Sequence, residues 1–136
     1  MNRLPLLSLV VLGACGMTVP RLQAFNPGIT ESEWHGYKRL DFVVEGRPAL
    51  LICPAQPAPG KPWVWRAEWF GDKHAPQASL ELLARGWHLA YMNATDLYGA
   101  PPAMRLFDAY YRRVTTDYGL AKQAVIDEHA GELVAD

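Results

Sequence analysis

The chain has 136 residues, 13 basic and 14 acidic side chains and a formal net charge of −1, and half of its residues are apolar. That is room for one modest domain with a core of its own. The balanced charge excludes the basic face a nucleic-acid binder needs, and the 11 prolines and 11 glycines are too dispersed to mark a disordered chain.

The N-terminus has the anatomy of a signal peptide. A short basic start, Met1-Asn2-Arg3, precedes an apolar run, LPLLSLVVLGAC, that is too short to span a bilayer and is followed by Pro20. Two processing sites compete. Leu22-Gln23-Ala24 offers a small residue before a cut. Leu12-Gly13-Ala14-Cys15 is similar to the lipobox of bacterial lipoproteins, in which the cysteine is lipidated, so Cys15 is the lipidation candidate. Either way the protein is expected to be exported, to the periplasm, the cell envelope or the medium. Losing residues 1–24 removes Arg3 and Arg21 and leaves 11 basic and 14 acidic side chains, a net charge of −3. Export also implies an oxidising compartment, yet Cys53 has no internal partner, and in the run ALLIC it reads as a buried hydrophobe.

Residues 25–36 read as a linker-like lead-in. Residues 37–44, YKRLDFVV, alternate apolar and polar side chains and predict a half-buried strand. A turn at Glu45-Gly46-Arg47-Pro48 leads to ALLIC (49–53), a continuous apolar run expected to be covered on both faces. A proline-rich loop (54–62) precedes WVWRAEWFG. Pro76 opens a helix that Gly86 closes, and residues 87–94 return to strand character. Pro101 and Pro102 open the clearest helix, 102–118, whose apolar face is expected along Met104, Phe107, Tyr111, Val114 and Tyr118. Ala124-Val125-Ile126 follows as an interior strand. Strands alternating with helices predict an α/β protein with a mostly parallel sheet.

Few residues carry a chemical signal. Trp63, Trp65 and Trp69 are either a sugar-binding platform or core side chains, and the alternation of Trp63 and Trp65 favours one packed strand face with Arg66 in solvent. His35, His74 and His88 lack metal-ligand spacing, so no metal and no cofactor are expected. Asp96 follows the end of a strand, the side on which α/β sheets place ligands, although capping a turn accounts for it. Both phosphate-loop patterns, Gly-x-Gly-x-x-Gly and Gly-x4-Gly-Lys-Ser/Thr, are absent from the sequence.

Five stretches, WHGYKRLDF, GRPALLICP, GKPWVWRAEWFG, LLARGWHLAYMNATDLYG and the tyrosine-rich helix ending in DYGL, resemble a group of exported bacterial α/β-hydrolases over residues 34 to about 126. The resemblance implies the N-terminal half of an α/β-hydrolase-like three-layer sandwich, a β-hairpin followed by alternating helices and strands, occupying residues 37–126. It implies an ester or acyl substrate, and it makes Trp65 or Arg66 the source of an oxyanion-hole N–H. In that family the strand at Ala124-Val125-Ile126 would lead into a Gly-x-Ser-x-Gly elbow. Here Asp127-Glu128-His129-Ala130-Gly131 follows, Ala130 lies near the expected serine, and no serine occurs after Ser79. Residues 127–136 therefore read as a divergent tail, the chain as a truncated or frameshifted hydrolase without a Ser-acid-His triad, and no residue as catalytic. A non-catalytic envelope module binding sugars through its tryptophans is the alternative. An unpaired edge beyond Ile126 leads to the further expectation of self-association.

Overall fold

The computed structural model of the protein describes residues 28–66, 70–73, 76–97 and 100–127. Its elements in chain order are β1 (Thr30–Trp34), β2 (Tyr37–Val44), β3 (Arg47–Cys53), β4 (Trp63–Arg66), α1 (Pro76–Ala84), β5 (His88–Met92), a 3-10 turn (Thr95–Leu97), α2 (Pro101–Thr116) and β6 (Val125–Asp127). The strands form one sheet in the order β1-β2-β3-β5-β4-β6.

This sheet corrects the expected fold. The sequence pattern predicts a mostly parallel half of an α/β-hydrolase-like sandwich; the sheet is mixed and mainly antiparallel. The pairings β1·β2, β2·β3 and β3·β5 are antiparallel, and only β4·β5 and β4·β6 are parallel. The reason lies in the connections. A parallel pairing needs a crossover of a dozen or more residues, usually a helix. Residues 54–62 contain no helix, so the chain turns back at the end of β3 and β4 runs opposite to it. The two turns joining β1 to β2 and β2 to β3 are tight pairs with positive φ at both positions, His35 (49°) with Gly36 (80°) and Glu45 (49°) with Gly46 (76°). That geometry matches the twist of the flanking strands and fixes their register.

The lead-in also differs. Residues 30–34 lie within the segment read as a linker, yet they form β1 and pair with β2 from Thr30↔Asp41 to Trp34↔Tyr37. TESEW has only one buried side chain, Trp34, which is why no alternation marks it as a strand.

The two helices cover opposite faces of the sheet. On the α1 face, Trp34, Leu50, Ile52, Val64, Leu83 and Leu89 make one core. On the α2 face, Leu40, Phe42, Leu51, Trp63, Trp65, Ala90, Met92, Tyr110 and Val114 make the larger one. Leu50 and Ile52 point one way and Ala49 and Leu51 the other, so ALLIC is covered on both faces as its composition predicts. The buried stripe of α2 is Ala103, Tyr110 and Val114, with Phe107 partly buried, while Met104 is 55% exposed. The face is thus turned about one residue from the expected stripe. Tyr110 and Tyr111 are adjacent, and the small Ala103 lets the helix approach the sheet on the 103-107-110-114 line. Tyr110 Oη donates to Leu50 O at 2.7 Å, which gives a fully buried hydroxyl a partner on the central strand.

β6 is the last correction. Expected as interior, it pairs among the described residues with β4 alone and lies at the edge of their sheet, with Val125 40% and Ile126 64% exposed. No helix among the described residues is long and apolar enough to cross a membrane.

Candidate functional site

The carboxyl ends of β4, β5 and β6 lie at one end of the sheet, because these three strands run parallel. Ligands of α/β sheets gather at such ends, where the loops carry no obligation to the core. The β2–β3 turn reaches the same end, since β2 and β5 are both antiparallel to β3. A groove of about 700 Å³ opens there between that turn and α2, lined by Glu45, Arg47, Leu97, Arg105, Asp108 and Arg112 among others.

One wall of the groove is fixed by a charged clamp. Arg47 donates through Nη1 and Nη2 to the two carboxylate oxygens of Asp96, at 2.6 and 3.0 Å. The fork-on-fork geometry ties the β2–β3 turn to the segment that follows β5. Hydrogen bonding by the guanidinium holds the Asp96 carboxyl below its ordinary range, and the same bond raises Arg47. Asp96 therefore braces the groove through its side chain, a role that turn capping alone does not describe. Arg105 and Arg112 stand two helical turns apart on the exposed side of α2, with Asp108 between them.

Trp65 and Arg66, the oxyanion-hole candidates, belong to β4. Their backbones are in register with Ala90 and Tyr91 on one side and with Ile126 and Asp127 on the other. They are the last two residues of the strand. The Arg66 side chain, expected in solvent, is only 6% exposed and donates from Nη1 to Ser79 Oγ on α1 at 3.0 Å. Nothing in the local pattern WVWR distinguishes an arginine that turns back onto a helix from one that leaves the strand for water.

Trp63 and Trp65 belong to the core. Trp63 is fully buried and Trp65 is 9% exposed; their rings stack at 5.7 Å and lie against Tyr111, Phe107 and Tyr110 of α2. Trp63 Nε1 donates to Ala121 O at 2.7 Å. Neither ring is available as a sugar platform, and Trp69, the third member of that set, lies outside the described residues, as do Cys15 and His74.

The histidines do not converge. His35 is exposed at the β1–β2 turn, where its Nε2 lies 2.8 Å from Asp72 Oδ1; the same oxygen accepts from Trp34 Nε1 at 3.1 Å. This contact, unannounced by any spacing in the sequence, fastens residues 70–73 over the α1 face, with the Phe70 ring between Trp34 and Tyr91. The bond from His35 holds the Asp72 carboxyl below its ordinary range. His88 is buried at the start of β5 with Nδ1 3.3 Å from Pro62 O, and burial lowers its pKa. Burial likewise raises the Cys53 thiol, in keeping with a small hydrophobe. Among the described residues no three His, Cys, Asp or Glu side chains group as a metal site, and no serine hydroxyl is bonded to a histidine.

No protein family, curated protein or solved structure matches the chain.

Proposed function

We propose that this chain is a truncated or frameshifted member of an exported ester or acyl hydrolase lineage and does not itself hydrolyse esters. The five sequence stretches that resemble exported hydrolases support the lineage, and the signal-like N-terminus supports export to the periplasm, envelope or medium. The observation that carries the proposal is the state of Ser79. Ser79 is 3% exposed and its hydroxyl accepts from Arg66, so among the described residues it has no histidine to take its proton, and it is enclosed away from a substrate carbonyl. Ser32, the other serine among the described residues, is exposed on β1.

Under this reading the work of the described residues is mechanical. β4, β5 and β6 present their carboxyl ends together, and the Arg47–Asp96 clamp shapes the groove where a small ester would be held. The lineage is tested at the level of the gene. Translating the coding DNA beyond codon 126 in all three frames is expected to give a Gly-x-Ser-x-Gly elbow within a few residues of Ile126, followed later by an acid and a histidine. Joining that frame to residues 1–126 should yield a chain with esterase activity that Ser→Ala at the elbow abolishes. Absence of such an elbow from every frame refutes the lineage.

A further inference from the structure

Residues 70–73 belong to the connection between β4 and α1, and two contacts of different kinds hold them. Phe70 packs against the core on the α1 face, with its ring 5.2 Å from that of Trp34 and 5.9 Å from that of Tyr91, and the Arg39 guanidinium stands 5.9 Å over it. Asp72 Oδ1 accepts from Trp34 Nε1 at 3.1 Å and lies 2.8 Å from His35 Nε2. Gly71, at a φ of 125°, turns the chain between the ring and the carboxylate. Among the described residues, the side-chain hydrogen bonds of the segment all end on that one oxygen.

These anchors are weaker than the frame they rest on. The Asp72 side chain is 71% exposed, and a polar contact open to water contributes little. The strands beneath are joined by continuous ladders from β1 through β2 and β3 to β5. Giving up one ring contact and one carboxylate contact therefore releases the segment and leaves every ladder intact. A region with few buried contacts and an exposed polar anchor opens well below the global transition.

We propose that residues 70–73 form a strap that opens as a unit while the sheet stays folded, with Asp72 as its latch to the β1–β2 turn. Opening uncovers Trp34, which is only 8% exposed when the strap is closed. The proposal does not depend on the hydrolase reading. The β1–β2 turn lies at the end of the sheet opposite the carboxyl end of β4, because β2 and β5 are both antiparallel to β3 and β4 is parallel to β5. The connection leaves β4 at the end where ligands of such sheets gather, so a latch at the far end sets how free that connection is.

Limited trypsin digestion of the folded full chain reads the opening. Lys73 is exposed within the strap, yet the Lys73–His74 bond is cut only when the backbone around it leaves the surface, and the rate then follows the population of the open form. Cleavage after Arg85, at the end of α1, is the internal reference, with mass spectrometry to assign the cuts and circular dichroism to confirm that each variant is folded. Asp72→Ala should speed the cut at Lys73 by about three- to tenfold and leave the cut at Arg85 at its wild-type rate. Asp72→Asn, which keeps a carbonyl oxygen in place and loses the charge, should fall between the two. An unchanged Lys73 rate in both variants would overturn the proposal. Equal acceleration at Lys73 and Arg85 would overturn it as well, because Asp72 would then support the whole fold and not a strap.

Discussion

Gly86 follows α1 and closes it, and its position is defined by what surrounds it as much as by its own backbone. Its φ is +85°, and a Cβ added there would stand 2.6 Å from Ala58 N and 2.8 Å from Gln56 O. Both neighbours are main-chain atoms of the proline-rich 54–62 connection, which cannot swing aside like a side-chain tip. The same contact holds a hydrogen bond from Ala58 N to Gly86 O at 2.9 Å. Gly86→Ala therefore incurs two penalties. An L side chain in the left-handed region costs about 1–2 kcal/mol, and displacing the loop gives up a backbone bond worth about 1 kcal/mol net. We expect a total of roughly 2–4 kcal/mol. Gly36→Ala is the internal control, because Gly36 has a similar φ of +80° but no atom within 4 Å of the place a Cβ would take; it should lose only the conformational part. Urea denaturation followed by circular dichroism at 25 °C compares the two. Equal losses at both positions would refute the close approach between α1 and the 54–62 connection.

Tyr110→Phe leaves Leu50 O without its donor in the larger core and should destabilise the protein by about 1–2 kcal/mol, measured as a lower urea midpoint; no change would show that the bond adds nothing over water. Ser79→Ala removes the acceptor for Arg66 Nη1 and should cost about 1–3 kcal/mol, whereas a neutral outcome would mean that the other contacts of Arg66 suffice. His88 has a folded-state pKa below its ordinary value because it is buried, so the unfolded chain binds the extra proton; stability should be full above the ordinary histidine range and fall as pH drops through it, and His88→Asn should flatten that slope in a urea-midpoint series. Asp72 and Asp96 have lowered folded-state values, so their contributions are present above the ordinary carboxylate range and fade as pH falls through the lowered ones. Asp72→Asn and Asp96→Asn should each reduce the steepness of acid unfolding, and unchanged acid curves would argue against both pairings.

The local elements are legible in the sequence where burial is periodic. YKRLDFVV alternates because one side of β2 faces a core, and ALLIC is continuous because β3 has a helix-covered core on both faces. Pro76, Gly86, Pro101 and Gly119 punctuate the helices at or near their ends. What the sequence hides is set by partners distant along the chain. β1 has little apolar content and becomes a strand by pairing with β2. The direction of β4 depends on a short loop lacking a helix, a signal that is present at 54–62 and that outweighs the alternation of strands and helices further on. β6 is apolar, like an interior strand, yet it stands at an edge, so composition alone misplaces it. At the candidate site, Asp96 is marked by its place after β5, but its partner Arg47 lies 49 residues away at the start of β3. The buried state of Arg66 likewise comes from Ser79 on α1.

The most direct test of the proposed function is an ester-hydrolysis assay on the purified full chain, with 4-nitrophenyl acetate and butyrate as substrates and a fluorophosphonate probe to label any activated serine. A serine enclosed by its own helix and held by an arginine has no base to activate it. We predict hydrolysis at the rate of the buffer control, no labelling, and the same result for Ser79→Ala. Saturable turnover with labelling that disappears in Ser79→Ala would contradict the account, because it would make the buried serine a nucleophile.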